Sequence, residues 1–241
     1  MRMVLENFID LYYIITQMRD YLNFLRSAGL WTAFFISAFL LALIEPLFRP
    51  FRNDLFARLV KAAARLILFC GSIKITLKDH PGSLPDKGLI ITANHQSFLD
   101  NLVLLGYFPA VFKIVAGDAG FKLPLMRRIY RGCGFIKTGL AMSLSDVGKL
   151  YQVLKERENI LILSPIPKGK SLPSFSEALI RSAQLTSLPI LPVYLSGGSR
   201  IMPFRSFGLR SGRITIHLGH PLQPRDLNEF IQEYQKLMQV I

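Results

Sequence analysis

Short apolar runs alternate along most of this chain with longer stretches where apolar residues recur every three or four positions. Residues 73–77, 89–92, 112–115, 160–164, 190–195 and 214–218 are short and rich in Ile, Val and Leu, and read as strands. Residues 55–69, 97–105, 123–131, 145–157, 174–187 and 225–239 carry the helical period. Strands and helices in alternation predict an α/β domain: a mostly parallel sheet flanked by helices. Pro192 interrupts the run 190–195, which suggests a bulge or an edge strand.

The first 48 residues follow another pattern. Residues 27–44 hold no charge for eighteen positions, the short end of what a bilayer-spanning helix needs, and Glu45-Pro46 ends the run. Residues 8–25 are aromatic-rich but broken by Asp10, Arg19 and Asp20, as in an amphipathic helix. Residues 1–48 are therefore expected to be membrane-anchoring helices, and 49–241 the α/β domain. Either 28–44 crosses the membrane once, or helices 1–26 and 28–44 form a hairpin in one leaflet. No small-x-small site follows Pro46, so the anchor is read as uncleaved. Arg49, Arg52, Arg58, Lys61 and Arg65 follow it, which places the α/β domain on the cytoplasmic face of the membrane.

Composition sharpens the expectation of lipid contact. Hydrophobic residues make up 51% of the chain and its mean hydropathy is +0.34. The net charge is +13. Of 29 basic and 16 acidic residues, positions 1–45 hold three and four, which leaves the remainder at +14. So strong a surplus favours an anionic partner: membrane phospholipid, an acidic carrier protein or a coenzyme. Zinc-finger spacing and ribonucleoprotein-type aromatic motifs are missing, which argues against nucleic acid. Cys70 and Cys133 are too few and too far apart for a disulfide framework or a metal site. His217 and His220 lack a third ligand and read as structural.

Four segments carry candidate chemistry. The first is Asn94-His95-Gln96-Ser97-Phe98-Leu99-Asp100, between a predicted strand and a predicted helix. Such a turn can face a histidine and a carboxylate towards each other. The carboxylate then fixes the imidazole tautomer, and the pair suits proton removal from a hydroxyl. Ser97 and Asp100 also fit a capping box, and the two roles are compatible. The second is Gly132-Cys133-Gly134-Phe135-Ile136-Lys137, where glycines permit close backbone approach and Lys137 supplies a cation. Lys122, Arg127, Arg128 and Arg131 precede it. The third is Pro165-Ile166-Pro167-Lys168-Gly169-Lys170-Ser171. A phosphate-binding P-loop would need glycine where Ser164 stands, and two prolines remove backbone donors. It remains a rigid dibasic loop after a strand, where ligands bind in open α/β sheets. The fourth, Leu191-Pro192-Val193, carries no chemistry alone. No Gly-x-Ser-x-Gly elbow is present.

In this order the four segments resemble the membrane glycerolipid acyltransferases, typified by 1-acylglycerol-3-phosphate acyltransferase. That family's first motif, His-x4-Asp, is matched in full by His95 and Asp100. Its second motif is matched in part by Gly132, Phe135, Ile136 and Lys137, with Thr138 at the arginine position. Its third, Phe-Pro-Glu-Gly-Thr-Arg-Ser, retains Pro167 and Gly169, with Lys168 replacing the glutamate and Lys170 following. Pro192 occupies the fourth, as a structural or acyl-pocket residue. A lysine frequent ahead of the second motif falls at Gly117. The resemblance spans roughly residues 55–220.

The resemblance implies transfer of a fatty acyl group from acyl carrier protein or acyl-coenzyme A to a lysophospholipid hydroxyl, in phospholipid biosynthesis. It implies no bound cofactor and no metal. His95 and Asp100 would be catalytic; Gly132, Phe135, Ile136, Lys137, Lys168, Gly169 and Lys170 would hold the acceptor and its phosphate. Lys168 reverses a charge, so the alternative is a catalytically silent relative that binds lipid or a protein partner at the membrane.

Overall fold

The computed structural model describes residues 2–48, 55–78, 84–138, 144–165, 177–204 and 206–239. The elements follow in chain order: α1 (Arg2–Phe48), α2 (Leu55–Cys70), β1 (Lys74–Lys78), β2 (Ile90–His95), α3 (Leu99–Tyr107), β3 (Lys113–Gly117), α4 (Asp118–Lys122) and α5 (Pro124–Gly132). Then come β4 (Ile136–Thr138), α6 (Leu144–Lys155), β5 (Ile160–Pro165), α7 (Glu177–Thr186), β6 (Ile190–Ser196), α8 (Gly198–Ile201), β7 (Arg213–Leu218) and α9 (Leu227–Gln239). The strands form one sheet in the order β1-β7-β6-β2-β5-β3-β4. Only β6 and β7 pair antiparallel, so the expected mostly parallel sheet is observed.

Both faces of the sheet are covered, which explains why its central strands are apolar throughout. Side chains alternate along β2 and β6. Leu89, Ile91, Ala93, Leu191, Val193 and Leu195 enter the core shared with α1, α2, α3 and α5. Ile90 and Ile190 enter the second core, with Leu150 of α6, Ile180 of α7 and Phe230 of α9. Pro192 is buried inside β6, opposite Thr92 of β2. Sequence reading suggested a bulge or an edge; β6 is an interior strand. Proline is tolerated there because the β6–β7 ladder runs only over Val193–Ser196, one residue beyond it. Pro192 still accepts a hydrogen bond at its carbonyl from Gly219 N.

The N-terminal region departs from the expected hairpin. Residues 1–26 and 28–44 do not form a hairpin, because α1 runs unbroken through Gly29. That glycine is a contact point instead: a Cβ there would stand 2.8 Å from the carbonyl oxygen of Cys70. At the other end Phe48 meets Phe56. Helix α2 therefore runs antiparallel along the C-terminal half of α1, and the hairpin is made by α1 with α2. Leu30, Ala38, Leu41 and Ala42 of α1 lie in the same core as the sheet. Residues 11–25 instead expose Leu11, Tyr12, Tyr13, Ile14, Met18 and Phe24. Over 11–48 the helix is long and apolar enough to cross a membrane.

Candidate active site

Strand β2 lies in mid-sheet, and its C-terminal residue is His95. The β2–β6 ladder ends at Ala93–Val193. One residue on, the buried Asn94 side chain takes over. Its Nδ2 donates to Leu195 O at 2.9 Å, and Leu195 N donates to its Oδ1 at 2.6 Å. An amide side chain thus replaces the ladder where the two strands part. The parting lies at the carboxyl ends of the strands, the general ligand position in such sheets.

The chain then turns sharply into α3, and Asp100 organises the turn. Its Oδ2 accepts from Gln96 N at 2.7 Å, from Ser97 N at 2.8 Å, and meets His95 Nδ1 at 3.1 Å. Ser97 Oγ accepts from Leu99 N and donates to Met202 O at 2.6 Å. Capping and the histidine contact therefore use the same carboxylate. A carboxylate oxygen that two backbone N–H groups already address acts as an acceptor, which assigns the ring hydrogen to Nδ1. Nε2 is left with its lone pair. The Asp100 side chain is fully buried, and His95 keeps 25% exposure. Such an arrangement can take a proton from a hydroxyl at Nε2 and stabilise the resulting imidazolium.

Behind the carboxylate lie Gly197 and Gly198, where β6 passes into α8. Gly197 has φ +92°, a left-handed conformation, and a Cβ there would stand 2.3 Å from Arg213 O. A Cβ on Gly198 would stand 2.9 Å from Asp100 Oδ1. Oδ1 is buried and has no hydrogen-bond partner among the described residues. Gly198 is therefore the wall against which Asp100 rests. Two successive glycines at the end of the strand beside β2 were the available signal. The next segment also packs on the turn: Ser97 bridges to Pro203, and the Phe204 ring stands edge-on to His95 at 4.8 Å.

The far end of α3 is fixed from α2. Lys61 Nζ donates to Phe108 O at 2.6 Å, and Arg65 Nε donates to Gly106 O at 2.7 Å. Cations at a helix C-terminus complement its dipole. Burial, then the neighbouring Arg65, lowers the Lys61 pKa. Two of the five cations counted towards membrane orientation are thus tied to α3.

The second predicted segment lies apart from the His–Asp pair. Phe135 and Ile136 are buried, one in each core. Gly132 closes α5 against Phe56 and Glu45, where a Cβ would stand 2.5 and 2.8 Å from their side chains. Gly134 makes the turn into β4 with φ +65°. Lys137 is exposed on the edge strand β4, in register with Ala116 of β3. Three strand spacings separate β4 from β2, roughly 14 Å. Lys137 thus lies at the same end of the sheet as His95 but out of its reach. Cys133 is buried, which pushes its thiol up to about 12 and keeps it inert. His217 is buried in β7 against Ser196 Oγ, as a structural histidine. Lys168, Gly169 and Lys170 lie outside the described residues; β5, which precedes them, ends at Pro165, the register partner of His95. The described residues hold no cluster of His, Cys, Asp and Glu suited to a metal.

The acyltransferase family model matches residues 74–196, from β1 through β6, and so includes the His95–Asp100 turn. The chain belongs to the acyltransferase family. It is 26% identical over 154 residues to a 1-acyl-sn-glycerol-3-phosphate acyltransferase of Chlamydomonas reinhardtii, covering 58% of this chain and 44% of the relative. It is 26% identical over 184 residues to the chloroplastic 1-acyl-sn-glycerol-3-phosphate acyltransferase LPAT1 of Arabidopsis thaliana, covering 73% and 51%. The chain thus spans about half the length of these curated relatives. Its fold is that of the 1-acyl-sn-glycerophosphate acyltransferase PlsC from Thermotoga maritima, with a TM-score of 0.75, 19% identity, and coverage of 92% of this chain and 97% of that one. The glycerolipid acyltransferase resemblance and the fold class read from the sequence are both borne out.

Proposed function

We propose that this chain transfers a fatty acyl group from an acyl thioester, on acyl carrier protein or coenzyme A, to a lysophospholipid hydroxyl such as that of 1-acylglycerol-3-phosphate. The observation that carries the reading is the His95 Nδ1–Asp100 Oδ2 contact of 3.1 Å, with Nε2 left where β2 and β6 part. Nε2 takes the acceptor proton as the hydroxyl oxygen forms its bond to the thioester carbonyl carbon. The carbon–sulfur bond then breaks, and the thiolate leaves with the proton from the imidazolium. The step calls for no metal and no prosthetic group. Lys137, Lys168 and Lys170 would attract the acceptor's phosphate as point charges, where arginine would form a bidentate fork.

The surroundings fit two lipid substrates. A narrow apolar cleft between α1, α2, α3 and α5 is lined by Phe34, Ala38, Leu41, Ile67, Leu102 and Leu105. Its apolar lining suits a hydrocarbon chain better than a polar group. The exposed apolar face of α1 would lie in the membrane, and Arg49, Arg52 and Arg58 favour the cytoplasmic side for the domain.

Membranes containing the protein, incubated with labelled acyl thioesters and a panel of lysolipids, test the reading. His95→Ala should lower transfer by roughly 10²–10⁴-fold with the thermal unfolding midpoint unchanged. Transfer that survives the substitution overturns the role of His95. No transfer by the parent chain with any donor and acceptor favours a silent lipid-binding relative, the reading that Lys168 supports.

A further inference from the structure

The segment after β6 does more than pack on the catalytic turn. Phe204 and Phe207 are 49% and 75% exposed, which is unusual for two phenylalanines so close together. Phe207 lies 5.6 Å from Trp31 of α1, and Trp31 stacks on Phe35 at 6.0 Å and meets Phe98 at 5.2 Å. Phe35, Phe39 and Leu43 continue this exposed apolar surface along one face of α1. Two hydrogen bonds lock the segment to the helix: Trp31 Nε1 donates to Phe207 O at 2.8 Å, and Leu209 N donates to Ser27 Oγ at 2.8 Å. In the same stretch of chain stand Arg200, Arg210 and Arg213, all exposed and without a carboxylate partner among the described residues.

Resting on the reading of α1 as membrane-embedded, we propose that this segment is a second membrane contact, seated on the surface of an anionic bilayer next to His95. Single exposed aromatics need no explanation, but a contiguous patch marks an interaction surface. Aromatic rings flanked by arginines suit the boundary between acyl chains and anionic headgroups. Continuity with the exposed face of α1 selects a lipid surface over a protein partner, and so does the net charge of +13. The contact brings the headgroup layer to the Phe204 ring, 4.8 Å from the His95 ring. An acceptor lipid then reaches Nε2 from the plane in which it already lies. Helix α1 alone would tether the domain; this segment sets which side of it faces the lipid.

The chain has one tryptophan, Trp31. The double variant Trp31→Phe/Phe207→Trp therefore carries a lone reporter in the segment, and Trp31→Phe/Tyr21→Trp carries one on α1. The full chain is reconstituted into phosphatidylcholine vesicles, with or without phosphatidylglycerol, containing lipids brominated near the headgroup end of their acyl chains. At 207 the emission should shift to the blue and be quenched, more strongly in anionic vesicles. Arg210→Gln/Arg213→Gln should remove the anionic surplus. Emission at 207 that stays water-like while 21 is quenched overturns the second contact and leaves the reading of α1 standing. Both reporters unquenched overturn the two together. Equal quenching at 207 in neutral and anionic vesicles overturns the assignment to an anionic surface. Ser211→Cys, labelled with an environment-sensitive dye in a Cys70→Ser background, keeps Trp31 in place and should report the same insertion.

Discussion

The His95–Asp100 turn and the basic edge of the sheet occupy the same end of the molecule but are built on opposite principles. In the turn, one buried carboxylate oxygen gathers two backbone N–H groups and an imidazole within 3.1 Å. Asn94 fixes the strand behind it, and Gly198 leaves no room for the carboxylate to retreat. At the edge, Lys137 projects from a three-residue strand, with the exposed Arg127, Arg128 and Arg131 on the preceding helix. Buried hydrogen-bonded charge tolerates almost no displacement, because every lost partner leaves an unpaired group in a low-dielectric site. Exposed charge is screened and adaptable. The geometry of the His95–Asp100 pair is thus set by the core, while the exposed cations can change without unfolding anything.

Asp100 offers the strongest way to break that contrast, because it both caps and orients. Asp100→Asn keeps an acceptor for Gln96 N and Ser97 N but no longer holds the productive tautomer of His95. Turnover should fall by on the order of 10⁴-fold, with little change in stability. Asp100→Ala should lose the same activity and also about 1–3 kcal/mol of stability, from the orphaned backbone donors. Melting temperatures and activities in both variants equal to those of the parent chain would mean that the carboxylate neither caps nor orients. Next in size is Gly198→Ala. Its methyl group meets Asp100 Oδ1 at 2.9 Å, and a displacement approaching 1 Å costs roughly 10²-fold in kcat. The loss should appear in kcat, with KM nearly constant. An unchanged kcat would show that the carboxylate has space it does not use.

How far each region could be read in advance follows from the same physics. The His-x4-Asp spacing is local, so six residues of sequence disclose a contact that one turn closes. The strands were legible because a sheet covered on both faces demands unbroken apolar runs. Pro192 misled because the sequence shows the proline but not where the neighbouring ladder stops. The wall of Gly197 and Gly198 was hidden because it serves a carboxylate about a hundred residues earlier, through a register between β2 and β6 that no local pattern encodes. Phe135 and Ile136 carry a motif, but alternation along β4 sends them into the two cores and leaves Lys137 as the exposed member. For α1, hydropathy correctly marked the apolar stretch. It could not show that Gly29 is a packing contact, and so a break was expected where the helix continues.

The basic edge should respond more gently, and differently from the turn. Lys137→Gln should raise KM for a phosphate-bearing acceptor by roughly fivefold, the equivalent of about 1 kcal/mol for an exposed ion pair, and leave kcat and stability unchanged. A comparable rise for an uncharged acceptor would show that Lys137 acts on the strand and not on the phosphate. The smallest expected change, and the sharpest test of adaptable charge, is Lys168→Glu. It places at 168 the glutamate of the resembled family's third motif and lowers the net charge by two. The loop follows β5 directly after Pro165, the register partner of His95. The ratio of transfer to phosphate-bearing over neutral lysolipids should shift, while the His95→Ala defect stays the same size in either background. A shifted ratio with an independent histidine defect means that selection and proton transfer are separable. A ratio that does not move excludes the loop as selector and leaves acceptor choice to Lys137 and the arginines of α5.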